Sequence, residues 1–513
     1  MPRLTLTHLV YAVLACFAVM RAGQPGPPSD VWWQMSAGRY IVQNGSLPHT
    51  DMLTHTVAGQ PWVVHEWLWE ILMFALYAAW GYPGLMALRI VVLLPAIVLI
   101  TWVCFRRGGQ PLPVLATVLI GILAIGPVVN DRPQMNGMLF LAVLLALIEQ
   151  ARHGRARWLW LAPVVMLVWA NVHGSYIMGL GLLGLYLVSL LPHWLSQRRG
   201  GGRVSPSPLL VAAVIFVSGV AVLVNPHGLE GAIYPLRYAF GDLSYHSTMI
   251  TEYGPPQFGD MDRFLLVFLL LLVLSLGLSR RRLRLFEALT LVVFLYFVLR
   301  WGRNVGMTTF MLMPILAEHL TSVWEGRSKR ASAPSAPTPA PAAFGLAILA
   351  LVVGITAVSL RTSVARTDQV FAEYTPEAAV QFIAANHLQG NMLNSYEWGG
   401  YLGWRLWPKY RVYIDGRGDV MGREFMEEYM GVMTLRPGWQ DVLHRRGVAF
   451  AVLKPGSLLG QALRLDPDFA LLRSDPEFEC FVRTPGPNDD LLRRLGQDSS
   501  TPRQETAPRP RNL

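Results

Sequence analysis

Charge is what this chain has least of. Only 15% of its 513 residues are Asp, Glu, Lys or Arg, while 53% are hydrophobic. A soluble globular domain carries about 25% charged residues. That shortage argues against a soluble fold and for a polytopic membrane protein. Cysteine is scarce too, with three in all. Cys16 and Cys104 sit inside apolar runs and Cys480 lies in a distant polar region. The chain therefore has no disulfide framework and no CxxC metal site. No internal repeat of fixed period is visible. The net charge of +10 is not a nucleic-acid footprint. The basic residues are arginine clusters between apolar runs, which is the pattern of cytoplasmic loops.

What is present is a series of apolar runs. The first, Leu4–Met20, follows Arg3 and resembles a signal peptide, but Arg21-Ala22-Gly23 is a poor cleavage site, so it reads as an uncleaved span. Ten more runs long enough to cross follow, ending with Ala343–Leu360. A twelfth, Trp67–Trp80, is ambiguous. If it lies along the outer face, sixteen basic residues fall inside and seven outside before the last span. If it crosses, the arginine clusters move outside, against the positive-inside rule. It is therefore expected as a juxtamembrane helix, anchored at an interface by Trp67, Trp69 and Trp80. The N-terminus is then cytoplasmic and the C-terminal region extracytoplasmic.

This topology gathers the polar motifs on one face. They are the first loop from Asp30 to Glu66, Asp131-Arg132-Pro133-Gln134, Asn171-Val172-His173-Gly174, Asn225-Pro226-His227-Gly228, Glu252-Tyr253 and Arg300-Trp301-Gly302-Arg303-Asn304. The inner loops read as little but arginine and small residues. Ionisable groups beside a bilayer are costly to hold and mark functional sites.

The expected organisation follows. Residues 1–325 form a transmembrane catalytic domain, and 326–342 a disordered Pro/Ala/Ser cytoplasmic linker. Residues 343–360 are the last span, 361–484 a small extracytoplasmic α/β domain, and 485–513 a disordered tail. In the α/β domain a helix is predicted over Thr375–Asn386, with Thr375 as N-cap. Met392–Asn394, Val412–Ile414 and Phe450–Leu453 read as short buried strands.

One resemblance draws these features together. An N-terminal span is followed by an acid at the start of the first outer loop, then an amphipathic helix, then a span that begins near Arg89 and ends in Arg-Arg-Gly-Gly. The first loop reads Asp30-x-Trp-Trp, Pro48, Asp51, Trp62 and Glu66-Trp67, and the C-terminal region has Trp398-Gly-Gly-Tyr and Asp415-Gly-Arg417. This pattern resembles the GT-C superfamily of polytopic glycosyltransferases, in its dolichyl-phosphate-mannose mannosyltransferase and lipopolysaccharide-sugar-transferase-like branch. It also resembles a group of uncharacterised bacterial membrane proteins placed there. The fold so implied is an all-α polytopic membrane bundle of about eleven transmembrane helices plus a juxtamembrane helix, with the C-terminal α/β domain outside. The resemblance implies a polyprenyl-phosphate-linked sugar donor and inverting transfer on the outer face of a bacterial inner membrane. The acceptor would be an envelope glycan, lipid or protein. The resemblance leaves open a divalent metal and a second first-loop acid, Asp51 or Glu66. The WWD-type motif of oligosaccharyltransferases is missing, which argues against protein N-glycosylation.

The chemistry needs a base for the acceptor hydroxyl and donors for the leaving phosphate. By the resemblance Asp30 is the base, although an Asp there is also an ordinary helix N-cap. Glu66 and His65 are further catalytic candidates, although an acid opening a helix is favourable without any function. Arg132, Arg300 and Arg303 are candidate phosphate ligands, with snorkelling or an Arg132–Asp131 ion pair as the plain alternative. His173, His227, Glu252 and Trp33 complete the substrate-binding candidates, although capping or interfacial anchoring explains each of them too. Glu397, Asp415 and Arg417 could bind a glycan acceptor, but they read first as loop chemistry. The rival readings are a polysaccharide polymerase or ligase using a diphosphate-linked donor, a lipid or glycan transporter, and a non-catalytic scaffold.

Overall fold

The computed structural model describes residues 5–26, 30–197, 206–241, 254–259, 262–331 and 342–498. By its internal contacts the chain forms two compact units. The first comprises Met1–Pro27, Ala37–Leu47 and Val63–Val370, and the second Pro28–Ser36, Pro48–Trp62 and Phe371–Leu513.

The first unit is helical. The described part of each apolar run, and Trp67–Trp80, is helical, in some cases with a short 3-10 turn at one end. Among the described residues four helices are long and apolar enough to cross a bilayer by length and composition: Tyr82–Arg106, Pro133–Arg152, Tyr176–Ser196 and Gly345–Ala365. Several helices begin on proline, at Pro83, Pro111, Pro163 and Pro208. The first turn has no intrahelical use for the missing N–H. The helix Tyr82–Arg106 packs along Asn136–Arg152 and Leu6–Ala22, and Val305–Ala331 packs against Pro111–Ala124.

The helix Trp67–Trp80 departs from the interfacial expectation at one end. Trp80 is exposed, but Trp69 is buried. Trp67 Nε1 donates to Asn171 Oδ1 at 2.9 Å, and Trp69 Nε1 to the Asp131 carbonyl at 3.1 Å. These indoles tie the helix to a neighbouring helix and to the turn at Asp131. Three acids on helices, Glu149, Glu287 and Glu318, are buried among arginines of the clusters between apolar runs. Each lies within an apolar run or at its end, so loop composition did not reveal it.

The second unit holds a four-stranded sheet in the order β1-β2-β4-β3. The strands are β1 (Asn391–Asn394), β2 (Val448–Leu453), β3 (Phe469–Ser474) and β4 (Glu479–Arg483). β1 and β2 are parallel, and the other pairings are antiparallel. Every residue of β2 is buried, which is why its sequence is wholly apolar.

Three expectations differ here. Val412–Ile414 is not a sheet strand. Asn394 takes up its backbone instead, accepting from Tyr413 N at 2.8 Å and donating to the Ile414 carbonyl at 2.9 Å. Val412 forms an isolated bridge with Thr54 of the first loop. The predicted helix starts at Glu377, because the Thr375 hydroxyl turns back to the Phe371 carbonyl at 2.7 Å and does not cap it. Finally, order continues past residue 484. Asn488 is buried and clasps both backbone groups of Gln389, and a helix runs over Asp489–Asp498. The remainder of the expected tail, and most of the expected linker, lie outside the described residues.

The first loop contributes a folded segment to this unit. Asp51 N bonds to the Gln60 carbonyl at 2.8 Å and Trp62 N to the His49 carbonyl at 2.9 Å, closing a hairpin-like turn. His55 and Thr56 then bond to the Met392 and Tyr413 backbone carbonyls.

Candidate functional site

In the first unit, four of the polar motifs are tied together by side chains. Trp67 reaches Asn171, and Asn171 Nδ2 donates to the Val224 carbonyl at 2.9 Å, joining the Asn171–Gly174 motif to the residue before Asn225. Trp69 reaches Asp131. Arg303 Nη2 donates to Gln134 Oε1 at 3.1 Å, joining the Arg300–Asn304 turn to the Asp131–Gln134 turn. Beside this contact is a small pocket lined by Val128, Gln134, Met138, Gly306 and Met307, with Arg303 on its wall.

Glu66 lies within this group. Its Oε1 is 3.5 Å from His65 Nε2 and 3.5 Å from His173 Nε2. The tautomer of His173 follows from its other nitrogen. Nδ1 accepts from the Ser175 backbone N–H at 3.1 Å and lies 2.7 Å from Ser175 Oγ. The proton therefore sits on Nε2, facing Glu66. Trp169 Nε1 in turn donates to Ser175 Oγ at 3.0 Å. Burial lowers the His173 pKa to about 4; Glu66 opposes the shift, while Arg303 and His65 add to it. At neutral pH His173 is a neutral N–H donor. His65 Nδ1 lies 3.3 Å from the Val63 carbonyl, and its ring lies 4.6 Å from that of Tyr234.

The Arg132–Asp131 ion pair, the plain alternative for Arg132, is not found among the described residues. Asp131 is buried against Arg89, at 3.3 Å, and accepts from Tyr82 Oη at 3.0 Å. Arg89 also donates to the Gln24 carbonyl at 2.9 Å. Arg132 is half-buried, its backbone N–H bonded to Asn130. Arg300 is not drawn into the group. It is exposed, with its guanidinium 5.2 Å from the ring centre of Trp301. His227 stands at the N-cap position of the helix Gly228–Phe240 without a side-chain cap bond, and its backbone N–H donates to Asn225 Oδ1. Glu252 lies outside the described residues.

Asp30 and Trp33 belong to the second unit, and Glu66 and His65 to the first. Asp30 immediately precedes the helix Val31–Asn44. Its carboxylate lies against Gly416. A methyl group on Gly416 would collide with Asp30 Oδ1 and come within 3.0 Å of Trp33 Nε1. Only a bare Cα leaves room for both. Among the described residues Trp33 Nε1 has no hydrogen-bond partner.

Sequence reasoning left Asp51 as a possible second catalytic acid. The structure gives it a different task. Arg417 Nη2 donates to Asp51 Oδ1 and to Asp415 Oδ2, each at 2.6 Å, and Arg417 Nε donates to Asp415 at 2.9 Å. Asp51 also accepts from Thr54 Oγ1 at 2.6 Å. Arg417 lies over the Trp62 ring at 4.4 Å. All three charged side chains are buried. Burial alone would lower the Arg417 pKa, but Asp415 and Asp51 outweigh it and hold the guanidinium above its ordinary value. Ser175 and Gly416 were missed in the sequence. The Trp398-Gly-Gly motif now has a packing reason, since a Cβ on Gly399 would collide with the Ile414 carbonyl.

A metal does not fit these residues. The described residues contain no group of three His, Cys, Asp or Glu side chains placed to hold one ion. His173 Nε2, which faces Glu66, carries a proton and offers no lone pair.

The chain is similar to two kinds of solved structure. One is ArnT from Cupriavidus metallidurans bound to undecaprenyl phosphate, at 14% identity and a TM-score of 0.48, over 92% of this chain and 97% of that one. The other is the archaeal oligosaccharyltransferase AglB from Archaeoglobus fulgidus, in complex with an inhibitory peptide and a dolichol-phosphate. There the identity is 9% and the TM-score 0.49, over 93% of this chain and 74% of that one. No protein-family model and no curated protein matches the chain. Likeness at this level leaves the chemistry to be argued from the residues themselves.

Proposed function

We propose that the chain is a GT-C-like membrane glycosyltransferase. It moves a sugar from a polyprenyl-phosphate donor to an envelope glycan, lipid or protein acceptor, on the outer face of a bacterial inner membrane. The observation that supports this best is the joining of the Glu66, Asp131–Gln134, Asn171–Gly174 and Arg303 segments, far apart in sequence, into one polar group at the helix ends.

In this reading the acceptor hydroxyl oxygen attacks the anomeric carbon as the bond from that carbon to the phosphate oxygen breaks. The hydroxyl proton passes to Asp30. The phosphate leaves with its charge held by Arg132, Arg303 and the His173 N–H, donors of the kind that stabilise developing negative charge. Attack opposite the leaving group inverts the anomeric centre. Glu66, facing His65 and His173, orients the donors. Trp33 offers its N–H to a substrate oxygen. Arg300, exposed beside Trp301, serves as an interfacial anchor.

The test is transfer by the full-length protein in proteoliposomes, from undecaprenyl-phosphate-linked sugars to extracted envelope acceptors. Transfer that needs Asp30 supports the reading. Transfer only from diphosphate-linked donors, or equal transfer by Asp30→Asn, refutes it.

A further inference from the structure

The first unit carries a second charged group, which the proposed reaction does not use. The helices Arg263–Leu278 and Leu285–Arg300 are joined by Ser279–Arg284, a turn with four arginines. Glu318 Oε1 accepts from Arg281 Nη1 at 3.1 Å and Arg284 Nη2 at 3.2 Å. Glu287 lies 3.4 Å from Arg284, 3.6 Å from Arg152 and 3.8 Å from Arg107. Glu149 accepts from Arg107 Nε at 3.1 Å. Three carboxylates therefore serve four guanidiniums. Among the described residues Arg107 Nη2, though buried, has no hydrogen-bond partner.

Arg280 and Arg282 add two charges on the same turn, and no ion pair to either is found among the described residues. Directly flanking the turn are exposed apolar side chains, Val273, Leu274 and Leu278 before it and Leu285 after it. Leucines facing outward beside unneutralised arginines fit the boundary between acyl chain and headgroup. The acids do not cancel the patch. They hold Arg281 and Arg284, and so fix the turn that presents Arg280 and Arg282.

We propose that the Ser279–Arg284 turn is a binding site for the phosphodiester headgroup of an anionic phospholipid, with Arg280 and Arg282 as its principal ligands. The lipid supplies the negative charge that the three glutamates leave short, while its acyl chains lie along the exposed leucines. This site is independent of the sugar chemistry proposed above.

The experiment uses the full-length protein in nanodiscs of phosphatidylcholine, with or without phosphatidylglycerol. It measures the lipid retained after detergent washing by mass spectrometry, and thermal unfolding alongside. The wild type is expected to retain phosphatidylglycerol over phosphatidylcholine. Arg280→Gln/Arg282→Gln is expected to cut that preference about thirty-fold, roughly five-fold per arginine, with unfolding in pure phosphatidylcholine unchanged. Raised salt should weaken the preference in the wild type alone. Equal retention of the two lipids by the wild type, or an unchanged preference in the double variant, overturns the proposal. Displacement of the lipid by inorganic phosphate would also overturn it, by making this a free-anion site.

Discussion

Two groups of acids and bases, one in each unit of the molecule, are built differently. In the second unit, Asp51, Asp415 and Arg417 approach to 2.6 Å and are further fixed by Thr54 and the Trp62 ring. In the first unit, Glu66 stands 3.5 Å from each of two imidazoles, beyond ordinary hydrogen-bond length. The close set leaves little freedom to its carboxylates. It joins residue 51 to residue 417 and acts as a brace. The looser set keeps a carboxylate, a neutral N–H donor and a guanidinium within electrostatic reach of one another. Buried charge alone does not mark a reacting centre; only the Glu66 group, not the Asp51–Arg417 brace, enters the reaction proposed above.

The largest effect should come from breaking the brace. Arg417→Ala leaves two buried carboxylates without their counter-ion, and removing one partner of a buried pair costs about 3–5 kcal/mol. Thermal unfolding should fall steeply, and a melt like that of the wild type would show the brace to be ornamental. By contrast, Asp30→Asn should leave the melt unchanged and slow transfer by roughly 10²–10⁴-fold, the usual worth of a general base.

Gly416→Ala tests the same acid without touching it. The added methyl group must displace the Asp30 carboxylate or the Trp33 indole, and a displacement of about 1 Å can cost ~10²-fold in rate. An activity equal to wild type would detach Asp30 from this packing. Ser175→Ala sharpens the other side of the comparison. It strands Trp169 Nε1 and removes the hydroxyl beside His173 Nδ1, at a cost of about 1–3 kcal/mol for the unsatisfied buried donor. Nitrogen NMR of His173 should still show the Nε2–H tautomer, because the Ser175 backbone N–H keeps donating to Nδ1, whereas a switch to Nδ1–H would mean that the hydroxyl sets it.

The most gradual effect is on the acid limb of stability. His173 has a folded pKa of about 4 against an ordinary 6.5. Between those values the unfolded chain binds a proton that the folded chain does not, so stability rises with pH across the window and is lost as pH falls through it. The slope from this group is roughly 1.4 kcal/mol per pH unit. His173→Gln should flatten that limb in denaturant titrations, and an unchanged slope would place the titration elsewhere.

Much of this was legible before any coordinates. The apolar runs became helices, because a stretch without charge has few other stable states in a bilayer. Asp30, Glu66, His173 and Arg303 stood out because ionisable side chains beside apolar runs are expensive. The ion pair of Asp51 was not legible for a reason the sequence hides: its partner lies 366 positions away. Ser175 was invisible because a serine two residues after a histidine is unremarkable until the backbone turn brings its N–H onto Nδ1. The acids Glu149, Glu287 and Glu318 were overlooked because arginine counts describe loops, and these residues lie on helices.

Composition and periodicity alone determined that this chain is a bundle of apolar helices with a small α/β part at its C-terminal end, since hydrophobic burial depends on local pattern. Only the tertiary structure decided which acid is clamped by a guanidinium and which faces imidazoles, and that the first loop shares a fold with the C-terminal strands. Those outcomes depend on distances between residues hundreds of positions apart, and ångström-scale distances decide whether a carboxylate is clamped by a guanidinium or faces an imidazole across a gap.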